Sequence, residues 1–184
     1  MTWNNLQTLL FAFSLTILSC KQRDKNPTAI NSAWVQFSLP HGWTFYAPKN
    51  FSSKPERGID SDPGGISSSI DSIYLDYDSG TKFLKDDNCD FQKSVIKAQN
   101  DITNGFYKDF YKVPLLHKAR VDTIDGKVAI IVTPTKTGNG SVDISISDCK
   151  SGAWLGISGT NLSVDQEKLV LAIFKTIKLH SGHS

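Results

Sequence analysis

The sequence predicts an α+β fold, a mostly antiparallel sheet flanked by helices. Three observations predict it. Several short segments alternate apolar and polar residues at the two-residue period of a strand. Two others carry apolar residues at helical spacing. Asp125-Gly126 stands between two strand-like runs as the turn of a tight hairpin.

The elements follow in chain order. In "WVQFSLPHGWTFYAP", Val35, Phe37 and Leu39 alternate with Trp34, Gln36 and Ser38. Pro40-His41-Gly42 breaks that strand, and Trp43, Phe45 and Ala47 open a second. A long loop is expected from Lys49 to about Ser69. Ile73, Leu75 and Tyr77 share one parity of the next strand and are expected to face the core. Phe91, Val95, Ala98 and Ile102 recur at i, i+4, i+7 and i+11, a helical stripe. Residues Asp86 to Asn88 can cap its start and Gly105 can end it. "ARVDTIDGKVAIIVTPT" is the hairpin, "TGNGS" a further turn, and "VDISIS" and "AWLGIS" two more strands. Ser163 and Gln166 have capping-box spacing ahead of a helix with Leu169, Val170, Ile173 and Phe174 on its core face. "TIKL" closes the sheet.

The chain has 184 residues and a formal charge of +2. That charge is too small, and its basic runs too short, to argue for nucleic acid. The apolar run "LLFAFSLTIL" is too short to span a bilayer. It has the length of a secretory h-region and ends at Ile17-Leu18-Ser19-Cys20, which resembles a bacterial lipobox. The first eight residues depart from the pattern, since they hold no Lys or Arg. The resemblance implies a signal peptide over 1–19, a lipid on Cys20, a polar tether over 20–32 and one globular domain over 33–184. The acyl chains would make the membrane a partner. With Cys20 acylated, Cys89 and Cys149 remain. An even pair in an exported domain reads as a disulfide, the other reading being two separate buried thiols.

"FSLPHGWTFYAP" resembles the opening of the Mog1/PsbP-like fold, which includes bacterial DcrB-type lipoproteins. "GIDSDPGGISSSIDSIYLDYDSG" and "ISGTNLSVDQEKLVLAIFKTIKL" are similar to its loop-strand and its final strand-helix-strand. The resemblance implies a three-layer α/β/α sandwich used for binding, with an envelope protein or component as partner. It transfers no partner residue, and fold analogy does not fix function.

Candidate chemistry is sparse, and no catalytic set or cofactor is read from the sequence. Asp60, Asp62, Gly65 and Asp71 fall at positions one, three, six and twelve of an EF-hand template. Gly64 at position five supplies no side-chain ligand. A small metal-dependent or hydrolytic envelope enzyme using this Asp60–Asp71 loop is the alternative to a binding protein. His180 and His183 have H-x-x-H spacing, while His41, in a turn, and His117, after "VPLL", read as solvated rather than catalytic. Phe106, Tyr107, Phe110 and Tyr111 form an aromatic cluster at helical spacing. One helix face cannot bury all four, so either they pack the core or some of them contact a partner. A tyrosine is the expected exposed member, because its hydroxyl accepts water.

Overall fold

The computed structural model describes residues 33–81 and 89–180. The predicted signal peptide, Cys20, the tether, the Asp86–Asn88 cap and His183 lie outside the described residues. Among the described residues, ten strands form two antiparallel sheets. A small sheet joins β1 (Trp34–Ser38), β2 (Trp43–Pro48) and β10 (Lys178–Leu179). The large sheet contains β3 (Ser52–Pro55), β4 (Asp62–Ser68), β5 (Ile73–Thr81), β6 (His117–Ile124), β7 (Lys127–Pro134), β8 (Ser141–Ser147) and β9 (Ala153–Thr160). Its order is β3-β4-β5-β9-β8-β7-β6. The helices are α1 (Phe91–Asn104), the single turn α2 (Phe106–Asp109) and α3 (Val164–Phe174). The fold is thus sheet-rich α+β, as predicted.

Strand parity decides what each face of the large sheet meets. Ile73, Leu75 and Tyr77 are buried on one face, with Ile131, Ile144, Ile146, Leu155 and Ile157. Against them pack Trp43 and Phe45 of the small sheet and Val170, Ile173 and Phe174 of α3. This is the main core. On the opposite face Ile130 and Val132 meet Ala98 of α1. That second cluster is thin, since Ala98 is the one buried residue of α1.

Most predicted elements occur where expected. Asp125 and Gly126 both take positive φ, 49° and 71°, in the turn between β6 and β7. Gly105 ends α1, whose cap is Asp90, its side chain accepting from the N–H groups of Gln92 and Lys93. Phe91 is 40% exposed, so the apolar stripe of α1 buries only its C-terminal half.

The expected loop over Lys49–Ser69 is a correction. It contains β3 and β4, an antiparallel pair that extends the sheet. Pro55, Pro63 and Gly64-Gly65 hide this strand pair in sequence. Pro55 is tolerated because β3 is an edge strand. The glycines leave room for rings from β5: a Cβ on Gly65 would lie 2.9 Å from the Tyr74 hydroxyl, and one on Gly64 would overlap Tyr77.

The α3 capping box is complete, Ser163 accepting from the Gln166 N–H and Gln166 Oε1 accepting from the Ser163 N–H at 2.7 Å. Gln166 Nε2 also donates to the Asp71 carbonyl at 2.6 Å, tying the helix start to the β4–β5 turn. Ser163→Ala should therefore cost about 1 kcal/mol, read as a lower urea midpoint at unchanged m-value. A change below a few tenths would mean that the Gln166 bonds alone hold this end.

Cys89 and Cys149 stand at disulfide distance, with Cα atoms 5.5 Å apart and a sequence separation of 60. They join the segment leading into α1 to the turn between β8 and β9.

Candidate functional site

The face that carries α1 and α2 changes character from strand to strand. On β7 it presents Ile130 and Val132, which the helices cover. Across the ladder, Ile130 pairs with Ser145 and Val132 with Asp143 of β8. The rows continue into β9 and β5 as Ser145–Gly156–Asp78 and Asp143–Ser158–Asp76. The apolar surface therefore ends at β8, and a polar, acidic floor begins. Neighbouring strands lie about 4.8 Å apart, so Asp143 and Asp76 flank Ser158 across roughly 10 Å.

This floor belongs to a groove of about 500 Å³. Phe106, Tyr107 and Tyr111 form one wall, and Glu56, Pro63 and Tyr74 lie on the other side. Above Gly156 the floor drops to the backbone, because a Cβ there would meet nothing nearer than 3.9 Å. Among the described residues, no Lys, Arg or His lines the groove, whereas Glu56, Asp76, Asp78 and Asp143 all contribute.

Asp143 is the most enclosed of these carboxylates, at 6% exposure. Desolvation raises its pKa above the ordinary aspartate range. The hydroxyls of Ser141 and Ser158, the His117 ring and the Tyr111 hydroxyl offset part of that rise. Even so, Asp143 Oδ2 is buried without a hydrogen-bond partner, as is Asp78 Oδ1.

The aromatic cluster divides in the opposite sense to the expectation. Phe106 and Phe110 stack at 4.7 Å and are 58% and 67% exposed. Tyr107 and Tyr111 stack at 5.6 Å and turn toward the sheet, each partly buried. The reason is the polar floor. Tyr107 reaches Ser145 and Tyr111 reaches Asp143, contacts a phenylalanine cannot use. Burial, and for Tyr111 also the Asp143 charge, raises both phenol pKa values.

His117 is also a correction, because it is part-buried and fully engaged. Its Nδ1 lies 2.6 Å from the Tyr111 carbonyl, and its Nε2 lies 3.2 Å from the Ser141 N–H. The carbonyl can only accept and the N–H can only donate, so the ring carries its proton on Nδ1. It clamps Tyr111 to the start of β8. Nor is His41 a free turn residue, since its Nε2 lies 2.9 Å from Asp62 Oδ2. His180 Nε2 lies 3.1 Å from the Thr44 hydroxyl.

The Asp60, Asp62 and Asp71 metal candidate does not form. Asp62 opens β4, and Asp71 lies beyond its far end. Seven extended residues separate the two ends by roughly 20 Å. Asp62 and Asp71 have other partners: Asp62 meets His41, and Asp71 Oδ2 accepts from Asn50 Nδ2 at 2.7 Å and Ser68 Oγ at 2.8 Å. An EF-hand loop wraps its ligands around one point, and a strand cannot. Among the described residues, no three His, Cys, Asp or Glu side chains stand in a metal-holding group.

The groove carboxylates escaped the sequence reading. Their signal was the polar parity of two strands, Asp76 and Asp78 on β5 and Asp143 and Ser145 on β8. Such alternation reads as a solvent-facing side. What marks a site is that both rows face one groove, which depends on strand order rather than on sequence spacing. No protein-family model matches this chain, and a comparison with curated proteins finds no match.

Proposed function

We propose that this chain is a lipid-anchored, non-enzymatic binding or accessory protein of the bacterial cell envelope, built on a Mog1/PsbP-like three-layer α/β/α sandwich. Three things support the reading. The tetrapeptide Ile17-Leu18-Ser19-Cys20, followed by a polar tether, supports the anchor. The placement of α1 and α2 on one face of the large sheet, and α3 on the other, supports the layering. The exposed Phe106–Phe110 stack on the rim of the groove supports binding.

The stack carries the functional half of the proposal. Two phenylalanines held face to face in solvent cost apolar hydration that a partner would relieve. Leu115 and Leu116, 77% and 50% exposed, follow in the same connection. Aromatic anchors of this kind concentrate binding energy at interfaces. The partner is an envelope protein or component that covers this rim.

A photoreactive phenylalanine analogue at position 110 of the full chain, irradiated in native envelopes, tests the reading. A discrete adduct is expected at position 110 and none at Ile70, an exposed residue of the β4–β5 turn. No adduct at 110, or equal adducts at both positions, would remove the rim as a binding surface. The anchor has its own test. Cys20→Ala should leave unprocessed precursor or protein in the soluble fraction. Mature-mass protein still on membranes would end the lipobox reading.

A further inference from the structure

We propose that the groove beside α2 binds a small primary amine, whose ammonium group sits above Gly156 among Asp143, Asp76 and Asp78. The inference rests on the reading of this face as the binding face and names the class of ligand it takes.

Four observations lead to an amine. First, a space of about 500 Å³ lies within the ~300–1,000 Å³ typical of small-molecule sites. Second, the lining among the described residues is acidic and includes no Lys, Arg or His, although the whole chain carries +2. Glu56, Asp76, Asp78 and Asp143 create a local negative field that concave walls concentrate. Third, Asp143 Oδ2 and Asp78 Oδ1 are buried without a hydrogen-bond partner within the described residues, even though the Ser141, Ser158 and Tyr111 hydroxyls stand beside the Asp143 carboxyl. Asp143 as a residue is 94% enclosed, from its 6% exposure. Folded proteins seldom leave such oxygens unmet unless another group completes them. Fourth, Phe106, Tyr107 and Tyr111 present rings along one wall, which suits both a cation and an alkyl stem.

The same observations choose among cations. A divalent metal needs ligands within about 2.6 Å of one point. The Asp143–Ser158–Asp76 row instead sets its carboxylates on strands two apart, with a serine between them. A quaternary ammonium has charge but no N–H, so it would leave both orphan oxygens unmet. A primary ammonium has three N–H donors, so it can meet such an oxygen and still donate to a neighbour. The missing side chain at Gly156 supplies the space for it.

Titration calorimetry of the whole chain at low salt tests the proposal, with 1,5-diaminopentane, tetramethylammonium, calcium chloride and a short lysine-containing peptide as probes. The diamine should bind at least tenfold more tightly than tetramethylammonium. Asp143→Asn removes a charged acceptor and should weaken diamine binding about tenfold or more. Gly156→Val fills the floor without removing a charge and should do the same. Thermal melts verify that both variants remain folded. Absence of heat with any amine would overturn the proposal. So would diamine binding unchanged in both variants, calcium binding in preference, or binding of the peptide alone. Such a failure would not touch the adduct at position 110, which tests the rim independently.

Discussion

Replacing Cys89 and Cys149 together by serine should lower the stability of the chain by about 4 kcal/mol under oxidising conditions. The cross-link closes a loop with a sequence separation of 60 residues. Closing a loop of that size removes unfolded-state entropy equivalent to roughly 4 kcal/mol. Most of this effect acts on the unfolded chain, so native contacts need not change. A local consequence adds to it. The helix α1 buries only Ala98 fully, so few apolar contacts keep it on β6 and β7. A bridge at this distance would fasten the segment entering α1 to the β8–β9 turn. Without it, α1 and the aromatic wall that follows should show the largest rise in amide exchange, ahead of the Leu155–Ile157 core. Urea denaturation of oxidised wild type and of the double variant reads the first effect, and exchange mapping the second. A difference below 1 kcal/mol, or full alkylation of both thiols in native oxidised protein, would contradict it.

How far the sequence reveals this molecule varies with the scale of the signal. Local signals were legible. The Asp125-Gly126 turn, the Ser163–Gln166 box and the Ile73, Leu75, Tyr77 parity each depend on neighbouring residues, and each occurs as read. The β3–β4 pair was hidden because its glycines answer to Tyr74 and Tyr77 on another strand. A cross-strand requirement looks, within one segment, like a loop. The aromatic cluster shows the same limit. Helical spacing correctly implies that four rings cannot all be buried. Which pair turns inward depends on Ser145 and Asp143, on a strand more than thirty residues away. The Asp60–Asp71 spacing misled for the converse reason. Sequence distance fits a calcium loop, but Asp62 begins a strand that carries the chain away from any common centre. The groove combines residues of five strands and the α2 turn, and so it became visible only with the strand order.

Asp143→Asn should stabilise the protein at neutral pH, by about 2 kcal/mol, while weakening amine binding. The carboxylate lies 6% exposed on the groove floor, with Oδ2 unpartnered. A buried acceptor without a donor costs about 1–3 kcal/mol, and more when charged. Asparagine has the same shape and no charge. The Ser141 and Ser158 hydroxyls beside it can accept as readily as donate, so they can serve its amide. The pH dependence gives the sign. Desolvation raises the folded-state pKa of Asp143 above its unfolded value. The folded protein then binds a proton more tightly than the unfolded one across that interval, so wild type loses stability as pH rises through it. Below the ordinary aspartate range, near pH 4, the residue is neutral in both states and carries no charge penalty. The groups that face it are His117 from β6, Tyr107 of α2, Tyr111 just after that helix, and Asp76 across Ser158 on β5. His117 is itself fixed between the Tyr111 carbonyl and the Ser141 N–H, so its influence on Asp143 must be separated. A parallel series in His117→Gln does that. Urea melts from pH 3.5 to 8 should show the advantage of Asp143→Asn growing from pH 4 upward, and it should persist in the His117→Gln background. An advantage that is constant with pH, or a variant less stable than wild type at pH 7, would show that the Asp143 charge is already satisfied within the fold. The groove would then have no unmet acceptor to offer an amine.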